Sequence, residues 1–143
     1  MPTIVRALDT IVDPHRELAD HGWIAGNFYD GCLIDDFSAE RLAMVDLDPY
    51  HKGPFVNTMG RIFGSTGFMA PEEFRRGAAI NERTSVFTLG RVLAVFLSDG
   101  SLARGPFRGG DPLYEVMLRA CQEGPEGRFP SVAAFAEAWR RAR

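Results

Sequence analysis

The clearest pattern of apolar and polar positions lies in residues 84–98. Small or apolar residues fall three, four, seven, eight and eleven positions after Val86, and further apolar residues widen that face. This spacing is helical, and a helix that is apolar nearly all round belongs in the middle of a core. Asp99-Gly100 supplies a stop signal. The pattern therefore predicts a central helix around which the chain is built.

Three further helices are predicted by the same spacing, over residues 3–22, from Asp111-Pro112 onward, and after Ser131. Ser131 has the side chain of a helix N-cap. Pro14 interrupts the first segment, because it lacks an N–H and crowds the carbonyl four residues earlier. A kink or two short helices is expected there. His15 and His21 have no partner pattern and are expected at the surface or at helix ends.

Residues 31–36 and 41–46 are two short apolar runs on either side of the polar turn F-S-A-E. This arrangement predicts a small β-hairpin. Carboxylates gather at its ends. They can hold a divalent cation, since hard cations prefer oxygen ligands, or they are simply turn residues, where Asp is common. The carboxylates concerned are Asp30, Asp35, Asp36, Asp46 and Asp48.

Residues 47–71 form a loop of about 25 residues, a length that is uncommon in a compact domain. It is rich in glycine and proline and shows no periodicity. The loop is expected to be pinned to the core by its apolar side chains, which are Phe55, Met59, Ile62, Phe63 and Phe68. The predicted fold is therefore mainly α, of the α+β type, with one hairpin and one long ordered loop.

Composition limits the functional classes. The chain has 143 residues, 45% of them hydrophobic, and a net charge of −3. This suits one domain over residues 1–143 and offers no basic field for nucleic acid or an anionic membrane. No apolar run approaches the roughly 20 residues of a membrane span, and a signal-peptide pattern is lacking. Cys32 and Cys121 form neither a disulfide framework nor a metal-ligand pair, so a cytoplasmic protein is expected.

Several motifs resemble those of protein kinases in the order of the kinase C-terminal lobe. Residues 64–72 read G-S-T-G-F-M-A-P-E, close to the family's Gly-Thr-x-x-Tyr-Met-Ala-Pro-Glu. Residues 84–90, T-S-V-F-T-L-G, resemble Ser-Asp-Val-x-Ser-Leu-Gly. Residues 128–131 match the Arg segment before the last helix of bacterial Ser/Thr kinases. The chain is thus similar to a kinase C-terminal lobe, with no counterpart of the N-terminal lobe.

The resemblance assigns roles to individual positions. It implies a partly buried ion pair between Glu72 and Arg128. Asp46 falls at a position that binds metal and nucleotide, and Ser65 falls beside the acceptor hydroxyl. Other positions depart from the family pattern. Asn27 replaces the catalytic base, Tyr29 a lysine, Cys32 a metal-binding Asn at the nucleotide site, Asp48 a glycine and Ser85 a structural Asp.

Asp30 could supply a stand-in carboxylate for the base or for a metal, but a turn Asp before Gly31 is the favoured interpretation. The retained scaffold and altered chemistry favour a pseudokinase acting as an interaction or regulatory module. The alternative is a Ser/Thr phosphotransferase that uses Mg-ATP, with a site completed by a partner chain or a second copy. A protein partner or a homodimer is expected on the surface that a kinase N-terminal lobe would cover.

Overall fold

The computed structural model describes residues 2–36, 38–39 and 41–143. Within them lie four α-helices and three antiparallel pairs of short strands, which confirms the predicted mainly helical α+β class. None of the helices in this described part is long and apolar enough to cross a membrane. The helices are α1 Pro2–Asp20, α2 Glu82–Leu97, α3 Asp111–Ala120 and α4 Val132–Ala142.

Helix α2 is the central element, as predicted, and it packs against α1, α3 and α4. It begins two residues earlier than its apolar pattern, because Asn81 caps it. The Asn81 side chain accepts a hydrogen bond from the Arg83 N–H at 2.9 Å, and Thr84 Oγ1 accepts one from the Asn81 N–H at 3.2 Å. After Leu97 the chain turns at Gly100, whose φ of +88° favours glycine.

Gly90 lets α3 approach α2 closely. A Cβ at this position would lie 2.7 Å from Ala120 Cβ and 2.8 Å from Cys121 Sγ. We expect Gly90→Val to lower the free energy of unfolding by about 1–3 kcal/mol, because the added atoms overpack the contact. Urea unfolding will measure the loss. The matched control is Gly105→Val, where a Cβ meets nothing within 4 Å; equal losses in the two variants would contradict the prediction.

Helix α1 runs without a break through Pro14, so of the two predicted alternatives, a kink or two short helices, the second is wrong. Its buried stripe of Leu8, Ile11 and Val12 lies before the proline and continues at His15 after it. Packing of this stripe outweighs the one backbone hydrogen bond that Pro14 cannot donate. The amphipathic pattern, rather than the proline, therefore decides the extent of the helix.

His15 is buried, so the prediction that it lies at the surface is wrong. Its Nδ1 lies 2.8 Å from the Ile11 carbonyl oxygen, which only accepts, so Nδ1 carries the proton. Nε2 then accepts a hydrogen bond from the Tyr50 hydroxyl at 2.5 Å. Burial lowers the pKa of His15 to about 4, which keeps the ring neutral. His21 is exposed just beyond α1, as expected.

The predicted hairpin is confirmed as β2 Leu33–Asp36 paired with β3 Arg41–Met44, with Leu33 opposite Met44. Phe37 and Glu40 of its turn, and the side chain of Asp35, lie outside the described residues. The Asp36 carboxylate accepts bonds from Ser38 and the Ala39 N–H. That is the behaviour of a turn Asp.

The long loop takes part in two short strand pairs that its sequence pattern did not predict. Strand β1 Trp23–Ile24 pairs with β4 His51–Lys52, and β5 Phe55–Val56 pairs with β6 Ala79–Ile80. Phe68 is buried as predicted. Met59 and Phe63 are 69% and 77% exposed, so the prediction that they pin the loop is wrong. Backbone pairing and polar contacts hold this segment instead.

Candidate functional site

A cleft of about 240 Å³ lies between the loop after β1 and the loop after β3. Asn27 and Asp46 both line it, and both have left-handed backbones, with φ of 51° and 60°. Asn and Asp tolerate this conformation better than other non-glycine residues, and such residues cluster at functional sites. Tyr29, Asp48 and Pro49 complete the lining. This cleft is the candidate functional site.

Close packing holds the two loops of the cleft against each other, and one hydrogen bond holds the first loop to α2. A Cβ at Gly26 would lie 2.3 Å from the Pro49 carbonyl oxygen, so only glycine fits there. The Ala25 N–H donates to Ser85 Oγ at 2.9 Å, which ties the loop to α2. Ser85 thus accepts a hydrogen bond at the position where the kinase pattern has an Asp.

Ser65 lies near the same cleft. A Cβ on its neighbour Gly64 would lie 3.6 Å from the Asn27 side-chain oxygen, so this stretch passes beside Asn27. Ser65 precedes the 3₁₀ turn Thr66–Phe68, and its carbonyl accepts the Phe68 N–H at 3.0 Å. The structure thus brings Asn27, Asp46 and the segment containing Ser65 together.

Cys32 points into the core instead of the cleft. Only 1% of its surface is exposed, and its Sγ donates a weak hydrogen bond to the Asn27 carbonyl at 3.6 Å. A thiol is a poor ligand for Mg²⁺, which takes oxygen. Cys32 therefore contacts the Asn27 loop from the core side of the chain. The kinase pattern has a metal-binding Asn at this position.

Asp30 lies elsewhere as well. It begins the 3₁₀ turn Asp30–Cys32 and lines a separate, apolar cleft of about 520 Å³ with Leu33, Leu42 and Phe96. Of the carboxylates singled out in the sequence, Asp46 and Asp48 are the ones on the described lining of the Asn27 cleft. Among the described residues, no group of three or more His, Cys, Asp or Glu side chains is arranged to hold a metal ion. The metal-binding roles of Asp46 and Asp30 stay predictions.

Glu72 and Arg128 form a buried, two-pronged ion pair. Arg128 Nη1 lies 2.6 Å from Glu72 Oε2, and Nη2 lies 2.9 Å from Oε1, with 0% and 2% of the two side chains exposed. Arg128 also donates to the carbonyls of Gln122, Glu123 and Arg83. The pair thus joins the segment after the long loop to α2 and to the turn before α4.

The carboxylate of Glu72 is fully partnered. Besides Arg128, the Thr84 hydroxyl donates to Oε2 at 2.9 Å. Burial alone would raise the pKa of Glu72, but the hydrogen bonds and charge of Arg128, with the Thr84 bond, outweigh it and hold that pKa below its ordinary value. The pair is therefore ionised at neutral pH.

Sequence reasoning missed the neighbouring Glu73. Its side chain is 6% exposed, and Oε1 accepts the Ala70 N–H at 3.0 Å. Burial, more than the nearby Glu72 charge, raises its pKa to about 7. The sequence signal for this arrangement is a Glu three positions after the N-cap residue, here Glu73 after Ala70. It forms half of a capping box.

Comparison with known proteins points the same way as the motifs. No family model matches the chain. The serine/threonine-protein kinases PknG of Mycolicibacterium smegmatis and Mycobacterium leprae are 30% and 28% identical to it over 103 residues. These alignments cover 64% of this chain and only 13% of each relative. The likeness supports a distant, kinase-like relationship.

Proposed function

We propose that the chain is a catalytically degenerate, kinase-like module, a pseudokinase that works by binding other proteins. The observation that carries this proposal is Asn27. It occupies the catalytic-base position of the kinase resemblance and lines the cleft. Phosphoryl transfer in kinases uses an Asp there to accept the substrate proton. A carboxamide is not basic and cannot accept it.

The cleft itself supports the same conclusion. Its volume of about 240 Å³ lies below the roughly 300–1,000 Å³ of pockets that bury small-molecule ligands. Cys32, at the second metal-binding position of the resemblance, is turned into the core and bonded to the loop. Within the described part of the chain, Asp48 is the carboxylate that shares the cleft lining with Asp46.

By contrast, the residues at the scaffold positions of the resemblance make the contacts that the resemblance implies. Glu72 and Arg128 pair with full hydrogen bonding, and α2 is capped and central. A chain that keeps these costly buried charges while altering the catalytic positions is suited to present a surface rather than to turn over a substrate.

A second candidate is a Ser/Thr-type phosphotransferase whose ATP site is completed by a partner chain or a second copy. Asp46 favours it. Its carboxylate lines the cleft from a left-handed backbone, beside Asp48 and near the segment containing Ser65. These oxygens are of the kind that Mg²⁺ takes when ATP supplies further ligands.

We expect Mg-ATP to leave the thermal midpoint unchanged and to transfer no phosphate to the chain or to a Ser/Thr peptide. A ligand present at 100 times its dissociation constant would stabilise the fold by about 2.7 kcal/mol, so binding would be visible in a thermal shift. Differential scanning fluorimetry and transfer of labelled γ-phosphate will measure the two outcomes.

The matched variant is Asp46→Asn, which keeps the shape and the tolerance for a left-handed backbone but removes the charge. Saturable ATP binding in the wild type that disappears in this variant would overturn the pseudokinase proposal and favour the phosphotransferase. Binding that persists equally in both would place the nucleotide elsewhere and leave Asp46 without its assigned role.

A further inference from the structure

Charge is segregated along the chain. Residues 49–81 contain Lys52, Arg61, Arg75 and Arg76 but only two carboxylates, Glu72 and Glu73. Both carboxylates are buried, whereas all four basic residues are exposed. The segment therefore presents only positive charge to solvent in a protein whose net charge is −3. Such a local field attracts acidic groups.

Apolar side chains stand among these cations. Met59 and Phe63 are 69% and 77% exposed, and Phe74 is 39% exposed. The Arg61 guanidinium lies over the Phe74 ring at 5.8 Å, so the two kinds of side chain are neighbours in space. Met, aromatic residues and Arg are the types enriched in protein interfaces and among their strongest contacts.

The backbone that carries these side chains is held by Asn57, which is 1% exposed. Its side chain donates to the carbonyls of Gly60 and Glu72 and accepts the Met59 N–H. Its own backbone exchanges hydrogen bonds with the 77–78 turn, at 2.9 Å and 2.7 Å. One buried amide thus joins the tip of the long loop to the segment around Phe74.

Further bonds close the same arrangement. The Ile62 N–H donates to the Glu73 carbonyl at 2.8 Å, and Arg76 Nε donates to the Thr58 carbonyl at 3.1 Å. Met59 and Phe63 are therefore held out by a cross-linked backbone. The same bonds bring the backbone of Met59 and Phe63 next to that of Phe74, and exposed apolar side chains that are grouped in this way mark interaction sites. A surface fixed before binding also loses less entropy when it is covered.

We propose that this surface binds an acidic segment of a partner protein in which apolar side chains stand between carboxylates. We name it the basic–apolar face and define it as Met59, Arg61, Phe63, Phe74, Arg75 and Arg76. The guanidinium groups of Arg75 and Arg76 are placed to pair with carboxylates through parallel hydrogen bonds, and Met59 and the two phenylalanines take the apolar side chains. Arg61 already donates to the Gly64 carbonyl and the Thr66 hydroxyl and adds positive charge. The inference rests on the proposed function, for which it supplies the chemistry of the partner.

Three labelled peptides of 12 residues test this face by fluorescence anisotropy. The first alternates Glu with Leu and Phe, the second replaces each Glu by Lys, and the third replaces each Leu and Phe by Ser. We expect the first to bind saturably, and the other two to bind at least tenfold more weakly. Raising the salt from 50 to 500 mM should weaken the first peptide several-fold, because exposed charges are screened.

Two variants of the full chain locate the contact. Phe63→Ser and Arg75→Glu change exposed side chains, and each should weaken the first peptide at least tenfold. Leu102→Ser and Arg141→Glu are the matched controls away from the face and should leave binding unchanged. Asn57→Ala keeps all six residues of the face but loosens their backbone, so its affinity should also fall. Circular dichroism will verify that each variant is folded.

Failure of the first peptide to bind, or binding unaffected by Phe63→Ser and Arg75→Glu, would overturn the proposal. So would equal affinity for the Ser-substituted peptide, which lacks the apolar side chains. Equal affinity for a single-stranded RNA of 12 nucleotides would overturn it as well, because RNA carries no carboxylates and would bind through its phosphates and through bases stacked on exposed aromatic rings. The peptide assay contains no Mg-ATP. Its failure therefore leaves the result of the Mg-ATP experiment intact, and catalytic activity found there would leave the peptide result intact.

Discussion

Replacing Arg128 by methionine will lower the free energy of unfolding by about 3–5 kcal/mol, a large share of the stability of a small domain. The substitution leaves Glu72 charged and buried with the Thr84 hydroxyl as its remaining side-chain donor. It also removes the donors to three carbonyls, those of Gln122, Glu123 and Arg83. Urea unfolding followed by circular dichroism will give the difference.

The control is the exposed ion pair between Arg140 and Asp13, whose atoms also lie 2.6 Å apart but whose side chains are about half exposed. Arg140→Met should cost less than about 1 kcal/mol, because water replaces the lost partner. Arg128→Lys should fall between the two, since it keeps the charge but loses the paired geometry. A loss near 1 kcal/mol or less in Arg128→Met would show that the pair does not hold the fold.

The helices were predictable because the side chains that a helix buries recur at helical spacing in the sequence. The stripe through Val86 and Leu93 located α2, and Ser131 located the start of α4, where its Oγ accepts the Ala134 N–H. Helix α2 begins at Glu82 because the polar residue Asn81 caps it. The spacing of apolar residues does not reveal a polar cap. His15 continues the stripe of Leu8 and Ile11, so helical spacing outranked polarity as a guide to its burial.

The candidate site was less predictable. Asn27 and Asp30 are near neighbours along the chain but line different clefts. The backbone changes direction at the left-handed Asn27 and again at the 3₁₀ turn that begins at Asp30. Two-residue strands such as β4 and β5 carry no periodicity at all. The Asn57 side chain donates to a carbonyl 15 residues away, its N–H donates to the still more distant Ala78 carbonyl, and no local pattern reveals such distant partners.

Glu73→Gln will expose a pH dependence of stability that the wild type conceals. Burial raises the pKa of Glu73 from 4.5 to about 7, so its contribution to stability is present below pH 4.5 and is lost as pH rises through 7. Burial lowers the pKa of His15 from 6.5 to about 4, so its contribution is present above pH 6.5 and is lost as pH falls through 4. Each shift corresponds to about 3 kcal/mol.

The two trends have opposite signs between pH 4.5 and 6.5, and the wild-type free energy of unfolding should be nearly flat there. Glu73→Gln keeps an acceptor for the Ala70 N–H and removes one trend, so stability should rise by about 3 kcal/mol from pH 4 to 7. His15→Gln should show the reverse slope. The pKa of Glu72 is lowered, which places its titration below this window. Urea unfolding at four pH values distinguishes the slopes, and parallel curves for wild type and both variants would mean that neither group is buried in its assigned charge state.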